Sequence, residues 1–195
     1  MGQHKTAVFL DRDGTINVEA GYIRDLAQLQ LMPGAAAAVK RLNDQGIPVF
    51  VATNQSGPAR GYYPESHVLD LNRRLTELLA AEDARVDDVF YCPHLPEGTV
   101  AAYTQACDCR KPEPGMLLEA ARKHGLDLAG CYMVGDKSTD VEVGQRVGCR
   151  TVLLKSGYGE AILKGEYMWP CTPDHVADTL VEAVTWMLDD MKARG

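Results

Sequence analysis

The chain has 195 residues, 46% of them hydrophobic, and its formal net charge is -7 at pH 7. This length is enough to bury one good core, so we expect one domain over residues 1–195. The acidic balance argues against nucleic-acid binding, since such binding needs a local basic stripe that the sequence does not contain.

Membrane and export signals do not stand out in the sequence. No apolar stretch approaches the roughly 20 residues that cross a bilayer, and the N-terminus lacks the apolar segment of a signal peptide. Residues 1–6 fit the pattern for N-myristoylation, but a strand follows at once and no second anchoring signal is present, so we interpret the match as chance. We therefore expect a cytoplasmic protein that does not bind a membrane.

The first predicted element is a buried strand at residues 7–10, which ends in Asp11, Asp13 and a Gly-Thr turn. Alternate residues of a strand point to the same side, so the two carboxylates can share one face. Like charges crowded together with no visible basic partner need a cation or a shared proton. Mg2+ suits this place because it combines one or two carboxylates with a substrate phosphate. A solvated Asp-Gly turn is the alternative.

The rest of the chain alternates helices with short apolar strands. A flap at residues 15–31 precedes a helix that ends at Gly46, and another helix begins at Pro64. The predicted strands lie at 47–52, 88–91, 131–135 and 150–154, and the later helices at 113–124, 139–147 and about 173–191. This alternation predicts a parallel sheet with helices on both faces.

Polar residues collect where three of the predicted strands end. They are Asp11 and Asp13 after the first strand, Thr53, Asn54, Gln55 and Ser56 after the second, and Asp136 and Lys137 after the fourth. Ligands of such sheets bind beyond the carboxyl ends of the strands. Loops that expose N–H and hydroxyl groups suit an anion, so we expect a phosphorylated small molecule here.

Three cysteines and one histidine cluster in the irregular stretch that follows the third strand: Cys92, His94, Cys107 and Cys109. In a cytoplasmic chain this cluster indicates tetrahedral Zn2+ more than disulfides. Four protein ligands close the site, so the zinc would be structural and would stiffen the loop at 92–109, which we term the zinc loop. Buried or reactive thiols are the alternative. We expect core thiols at Cys131, Cys149 and Cys171.

With these residues assembled, the chain resembles the haloacid dehalogenase superfamily of phosphohydrolases along nearly its whole length. The four motifs that carry the resemblance are Asp11-Arg12-Asp13-Gly14-Thr15, Thr53, Lys111, and Gly135-Asp136 with Asp140. The resemblance implies a Rossmann-like sheet without a large cap domain. It also implies Mg2+ bound by Asp11, the Asp13 carbonyl and Asp136.

The resemblance further implies roles for single residues. Asp11 would accept the phosphoryl group as an aspartyl-phosphate, and Asp13 would act as general acid and base. Thr53 and Lys111 would hold the phosphoryl oxygens. From the residues alone, Asp140 either begins a helix or supports the metal ligands, and the sequence leaves both open.

The zinc loop and the flap are similar to those of sugar bisphosphate phosphatases. The substrate contacts implied are Glu19, Ala20, Gly21, Tyr22, Thr53, Asn54, Gln55, Ser56, Arg110, Lys111 and Lys137. Histidinol-phosphate phosphatase is the alternative because it shares the motifs and a similar zinc loop, and a broad sugar phosphatase is another. A non-catalytic zinc-binding module is more remote. We expect a monomer that acts on a phosphorylated sugar in carbohydrate metabolism.

Overall fold

The computed structural model describes residues 6–194, so most of the segment that fits the myristoylation pattern lies outside it. The strands are β1 (Val8–Leu10), β2 (Val49–Asn54), β3 (Asp88–Cys92), β4 (Tyr132–Gly135), β5 (Arg150–Leu154) and β6 (His175–Ala177). The helices are α1 (Ala35–Asp44), α2 (Glu65–Ala80), α3 (Gly115–His124), α4 (Ser138–Arg146), α5 (Gly159–Leu163) and α6 (Leu180–Arg194). All strand pairs are parallel, in the order β3-β2-β1-β4-β5-β6.

Helices cover both faces of the sheet, as the alternation of elements predicts. Val8 and Leu10 point into one core layer, which packs against α1, α2 and α6. Phe9 points to the opposite layer, which packs against α3 and α4. On that second side α5 adds Ile162 against Leu153 of β5. Because both faces are buried, the strands read as continuous apolar runs rather than as alternating ones.

The strand order reverses at β1. Leu10 of β1 pairs with Val51 of β2 on one side and with Val134 of β4 on the other. The carboxyl ends of these three strands therefore meet at one rim, where helical connections leave in opposite directions. In sheets of this type a ligand binds in the crevice at this point.

The C-terminal segment differs from the prediction. We predicted one helix from about residue 173 to 191, but β6 occupies His175–Ala177 and α6 begins only at Leu180. Val176 pairs with Leu153 at the open edge of the sheet. The Thr179 hydroxyl accepts the Glu182 N–H at 3.2 Å and so caps the helix. Val176 lies four residues before Leu180 and therefore fits the spacing of a helix. Its pairing with β5 nevertheless makes it part of a strand.

Three smaller findings complete the fold. Helix α5 was not predicted, since its five residues carry too little periodicity to recognise. Cys131 and Cys149 are buried as expected, whereas Cys171 is only partly buried beside the small cluster around Ile162. None of the helices between residues 6 and 194 is long and apolar enough to cross a membrane.

Candidate active site

Three buried carboxylates meet at the rim where the strand order reverses. Asp11 follows β1, Asp136 follows β4 and Asp140 lies in the first turn of α4, with exposures of 4%, 0% and 1%. One oxygen atom from each lies within 4.8 Å of the others. The structure thus brings together Asp11 and Asp136, which the sequence placed at the ends of different strands, and adds Asp140 to them.

Two lysines lie against these carboxylates. Lys111 Nζ is 3.0 Å from Asp11 Oδ1 and 2.6 Å from Asp140 Oδ1, and Lys137 Nζ is 3.2 Å from Asp136 Oδ1. Burial acts to raise the pKa of Asp11, but the two lysines outweigh it and hold that pKa below its usual value. Asp11 is therefore an ionised carboxylate at neutral pH.

Asp136 has the opposite balance. Burial raises its pKa to about 7, with Lys137 opposing this shift and Asp11 adding to it. The protein's own cations therefore do not fully compensate the charge of the cluster. An additional cation with a preference for oxygen ligands fits such a group, and Mg2+ has this preference. Asp11 and Asp136 could hold the ion.

Asp140 makes two kinds of contact, one at the start of α4 and one at the carboxylate cluster. Its carboxylate accepts the Lys137 backbone N–H at 3.0 Å, which caps the start of α4. It also forms the ion pair with Lys111. Burial acts to lower the pKa of Lys111, but Asp11 and Asp140 outweigh it and raise that pKa, so the lysine stays charged. Asp140 thus begins the helix and fixes Lys111 beside Asp11.

Asp13 does not share the carboxylate cluster but has a cationic partner of its own. The expectation that Asp11 and Asp13 lack a nearby basic partner is wrong, because the buried Arg12 forms an ion pair with Asp13 Oδ2 at 2.9 Å. Asn17 donates to Oδ1 at 2.9 Å and Gln55 to Oδ2 at 2.8 Å. The chain turns after β1, and this turn directs the Arg12 side chain inward beside Asp13.

The end of β2 fixes the segment that carries Lys111. Asn54 accepts the Lys111 backbone N–H through Oδ1 and donates to the Lys111 carbonyl through Nδ2, each at 3.0 Å. Gln55 donates to the Thr53 hydroxyl at 3.0 Å. The adjacent Arg110 donates to the carbonyl of His94 at 3.1 Å, so it is anchored to the zinc loop. The polar residues at the end of β2 therefore organise the rim as well as line it.

A pocket of about 300 Å³ opens beside this cluster. Its lining includes the predicted general acid and base, Asp13, and most of the predicted substrate contacts: Glu19, Gly21, Tyr22, Asn54, Gln55, Ser56, Arg110, Lys111 and Lys137. Ala20 is exposed on the flap and Thr53 is buried, and neither is part of the lining. The lining also contains five residues that the sequence did not point to: Arg60, Thr139, Tyr158, Tyr167 and Met168.

The flap is fixed against the turn after β2 by aromatic and cationic side chains. Tyr22 meets Tyr62 edge to face at 4.7 Å between ring centroids. The Arg60 guanidinium lies 5.8 Å from the Tyr22 ring, and that of Arg24 lies 5.1 Å from the Tyr62 ring. The Tyr22 and Ser56 hydroxyls are 3.2 Å apart. These contacts place the flap over one side of the pocket.

The Cys/His cluster is assembled as the sequence predicts. One ligand atom from each of the four residues lies within 4.8 Å of the others, and the cysteines are free thiols. The Sγ atoms of Cys107 and Cys109 are 3.3 Å apart, and Cys109 Sγ is 3.4 Å from His94 Nδ1. Apart from the 2.8 Å between the Sγ atoms of Cys92 and Cys109, the separations approach those around a tetrahedral ion with three sulfur ligands and one nitrogen ligand, so the cluster could hold Zn2+.

Known proteins match the chain over nearly its full length. A D-glycero-D-manno-heptose-1,7-bisphosphate 7-phosphatase of Thermosynechococcus vestitus is 48% identical over 194 residues, covering 97% of this chain and 99% of that protein. A D-glycero-beta-D-manno-heptose-1,7-bisphosphate 7-phosphatase of Escherichia coli is 43% identical over 159 residues, covering 80% and 83%. The family model described as HAD-hydrolase-like matches residues 108–183.

The chain belongs to the heptose bisphosphate phosphatase family of haloacid dehalogenase-like hydrolases. It is a phosphoric monoester hydrolase. A crystal structure of D,D-heptose 1,7-bisphosphate phosphatase from B. bronchiseptica, complexed with magnesium and phosphate, matches this phosphatase with a TM-score of 0.84 and 31% identity. The match covers 95% of this chain and 99% of the other.

The pocket residues of this phosphatase that the sequence did not predict belong to no recognisable motif. Tyr158 stacks on Tyr167 with 4.3 Å between ring centroids, and Lys137 Nζ lies 5.2 Å from the Tyr158 ring. The Tyr158 backbone N–H donates to Asp136 Oδ2 at 2.9 Å. The available signal for Tyr158 was the Ser-Gly-Tyr-Gly turn that begins two residues after the end of β5, because strand ends at this rim carry site residues.

Proposed function

We propose that this phosphatase removes the C7 phosphate of D-glycero-D-manno-heptose 1,7-bisphosphate in a Mg2+-dependent reaction. The named relatives support the substrate, and the Mg2+-bound relative supports the ion. This activity would serve the synthesis of ADP- or GDP-heptose and of the lipopolysaccharide core. The single observation that carries the proposal is a cationic pocket beside a buried carboxylate cluster at the strand reversal.

Asp11 is the proposed nucleophile. Its carboxylate is ionised, since its pKa lies below the usual value, and it needs no separate base to attack phosphorus. Lys111 and Lys137 contact its two oxygen atoms from different sides, at 3.0 and 3.7 Å. The attack forms an aspartyl-phosphate and releases the sugar oxygen, and water later breaks the acyl-phosphate bond.

Asp13 is the proposed general acid and base. It would give a proton to the leaving sugar oxygen and then take one from the attacking water. Its position in the pocket lining supports this role. Mg2+, held by Asp11, the Asp13 carbonyl and Asp136, would supply charge neutralisation for the phosphoryl group.

Thr53 and Lys111 would stabilise the phosphoryl oxygens. The Lys111 ammonium is fixed by Asp11, Asp140 and the Ala52 carbonyl, the last at 2.6 Å. A cation held in place before the reaction stabilises developing negative charge without reorganisation. Asn54 restrains the Lys111 backbone, so the same ammonium position is maintained from two sides.

The pocket favours a substrate with two phosphate groups. Arg60 and Arg110 line it in addition to Lys111 and Lys137, which already lie at the carboxylate cluster. Arginine can bind a phosphate through two parallel hydrogen bonds. Histidinol phosphate carries a single phosphate and would leave this second cationic region unused. A broad sugar phosphatase would not need that region either, and a non-catalytic zinc-binding module would not need the carboxylate cluster.

We also propose that residues 1–195 form one phosphatase domain and that the zinc loop at 92–109 is an insertion stabilised by a structural Zn2+. Cys92, His94, Cys107 and Cys109 would be its ligands. Arg110 follows the last of them and donates to the His94 carbonyl, so the ion would fix one wall of the pocket.

The test compares kcat/KM for heptose 1,7-bisphosphate, histidinol phosphate and fructose 1,6-bisphosphate in the presence of Mg2+. We expect the heptose bisphosphate to exceed histidinol phosphate by at least about tenfold, as its second phosphate adds a charged contact that is worth this much or more. Asp11→Asn should abolish turnover and phosphate trapping on the protein while substrate binding survives. Equal efficiency for histidinol phosphate would refute the substrate, and an active Asp11→Asn enzyme would refute the covalent route.

A further inference from the structure

Arg12 is a charged side chain buried at the centre of the site. It is 2% exposed and is among the largest fully buried side chains in the described part of the chain. Its Nη2 atom donates to Asp13 Oδ1 at 3.0 Å and to Oδ2 at 2.9 Å, and its Nε atom is 3.2 Å from Oδ1. Burying an arginine is costly unless it is paired and hydrogen-bonded, so its set of partners indicates what the burial achieves.

The same guanidinium also sets the orientation of the Gln55 amide. Arg12 Nη2 donates to Gln55 Oε1 at 2.9 Å. Because arginine has only donors, the amide oxygen has to face Arg12, and the Gln55 NH2 group then faces Asp13 Oδ2 at 2.8 Å. Arg12 therefore holds Asp13 twice, directly and through Gln55.

Helix α2 holds the other end of Arg12. Asn72, which is 60 residues away in the sequence and 6% exposed, accepts from Arg12 Nη1 at 3.2 Å through Oδ1. Two donors of the guanidinium fork thus point to Asp13 while a third is fixed to a long helix. This arrangement restricts rotation of the Asp13 carboxylate more than a surface ion pair could.

We propose that Arg12 is a positioning residue that holds the Asp13 carboxylate in its working orientation, directly and through the Gln55 amide. The proposal rests on the role of Asp13 given above. In the first step a proton moves from Asp13 to the departing oxygen, and in the second a proton moves from water to Asp13. Both transfers need the carboxylate within hydrogen-bond reach of an oxygen atom in line with Asp11.

The test uses two phosphate esters that differ in their need for a proton. Without a proton, the leaving group of an alkyl phosphate such as the sugar substrate is a strongly basic alkoxide, whereas that of p-nitrophenyl phosphate is a stable phenolate. In Arg12→Gln we expect single-turnover phosphorylation by the alkyl ester to fall about 100-fold and that by the aryl ester by less than about tenfold. Hydrolysis of the phosphoenzyme should also slow, so aryl ester turnover should show a burst near one equivalent.

Three further variants separate positioning from folding. Arg12→Lys keeps the charge without the fork and should recover part of the alkyl ester rate. Leu79→Ala removes a buried side chain at the far end of α2, so it should lower the melting temperature while keeping the wild-type ratio of alkyl to aryl rates. If Arg12→Gln does not fold, Asn72→Ala releases the same guanidinium and should shift that ratio in the same direction by a smaller factor.

The variant Asp13→Asn distinguishes failure of this proposal from failure of the function proposed above. Asp13→Asn should show the loss with the alkyl ester and the burst with the aryl ester if Asp13 is the acid and base. If Asp13→Asn keeps the wild-type ratio, the role of Asp13 is wrong. If Asp13→Asn shifts the ratio while Arg12→Gln, or Asn72→Ala in its place, leaves it unchanged, Arg12 does not position Asp13.

Discussion

Gly157 lies in the turn after β5 and packs against Asp136. Its φ is +56°, and a Cβ atom placed there would lie 2.8 Å from Asp136 Cγ and 3.1 Å from Gly14 Cα. Asp136 Oδ2 would lie closer still, and ordinary contacts begin at 3.4 Å, so Gly157→Ala has to separate the turn from the Asp136 carboxylate by more than about 0.6 Å. The neighbouring Ser156 hydroxyl donates to the Gly14 carbonyl at 2.7 Å, which limits how far the turn can retreat.

The expected effect is a loss of activity that exceeds the loss of stability. Misplacing an active-site group by about 1 Å can cost about 100-fold in rate, so we expect kcat for phosphate release to fall roughly 10- to 100-fold. Mg2+ affinity, measured by calorimetry, should weaken as well, because the displaced Asp136 loses the hydrogen bond from the Tyr158 N–H. The left-handed backbone itself costs a non-glycine residue about 1–2 kcal/mol.

Gly46→Ala is the matched control for this prediction. Gly46 has a φ of +70°, and a Cβ atom placed there would have nothing within 4 Å. The residue lies between α1 and the start of β2, at the opposite end of the strands from the site. The substitution should carry the same backbone cost and lower the melting temperature to a similar degree without changing kcat. If Gly157→Ala matches Gly46→Ala in kcat and Mg2+ affinity within about threefold, the position of Asp136 does not limit the reaction.

Three further predictions concern the metal sites and the support of the zinc loop. The pKa of about 7 at Asp136 predicts that a proton competes with Mg2+, so calorimetry should show affinity falling about tenfold from pH 8 to pH 6, whereas a pH-independent affinity would contradict a raised pKa at this ligand. Metal analysis should find about one equivalent of zinc, and its removal should increase hydrogen exchange in the zinc loop and lower activity; full activity without zinc would contradict a structural ion. Glu65→Ala should lower the melting temperature measurably, because Tyr91 and Tyr103 donate to Glu65 at 2.9 and 3.0 Å, while Glu77→Ala on the exposed side of the same helix should change it little.

Local sequence determined the central strands and the polar residues at their ends. A parallel strand buried on both faces has to be apolar throughout, so the first polar residue marks where it leaves the core. Asp11 after β1 and Asp136 after β4 follow this rule, and the structure brings them together. The Cys/His cluster was equally visible, because residue type and close spacing are enough to recognise candidate ligands.

The edge strand β6 was harder to predict from the sequence than the central strands. Residues around Val176 have helical spacing with Leu180, yet they form β6. A strand of three residues has too little pattern to distinguish it from the first turn of a helix, and pairing with the exposed edge of β5 decides between them. Helix α5 was missed for the same reason of length.

The sequence by itself determined which chemical groups this protein places at the ends of its strands. Only the tertiary structure decided how those groups are held: Arg12 turns inward to Asp13 and Asn72, Asp140 joins Lys111, and the Tyr158 N–H reaches Asp136. These partners come from segments far apart in the chain, whereas a local pattern records only the types and spacing of neighbouring residues. The burial and electrostatic environment of each side chain therefore emerge when the sheet brings those segments to one rim.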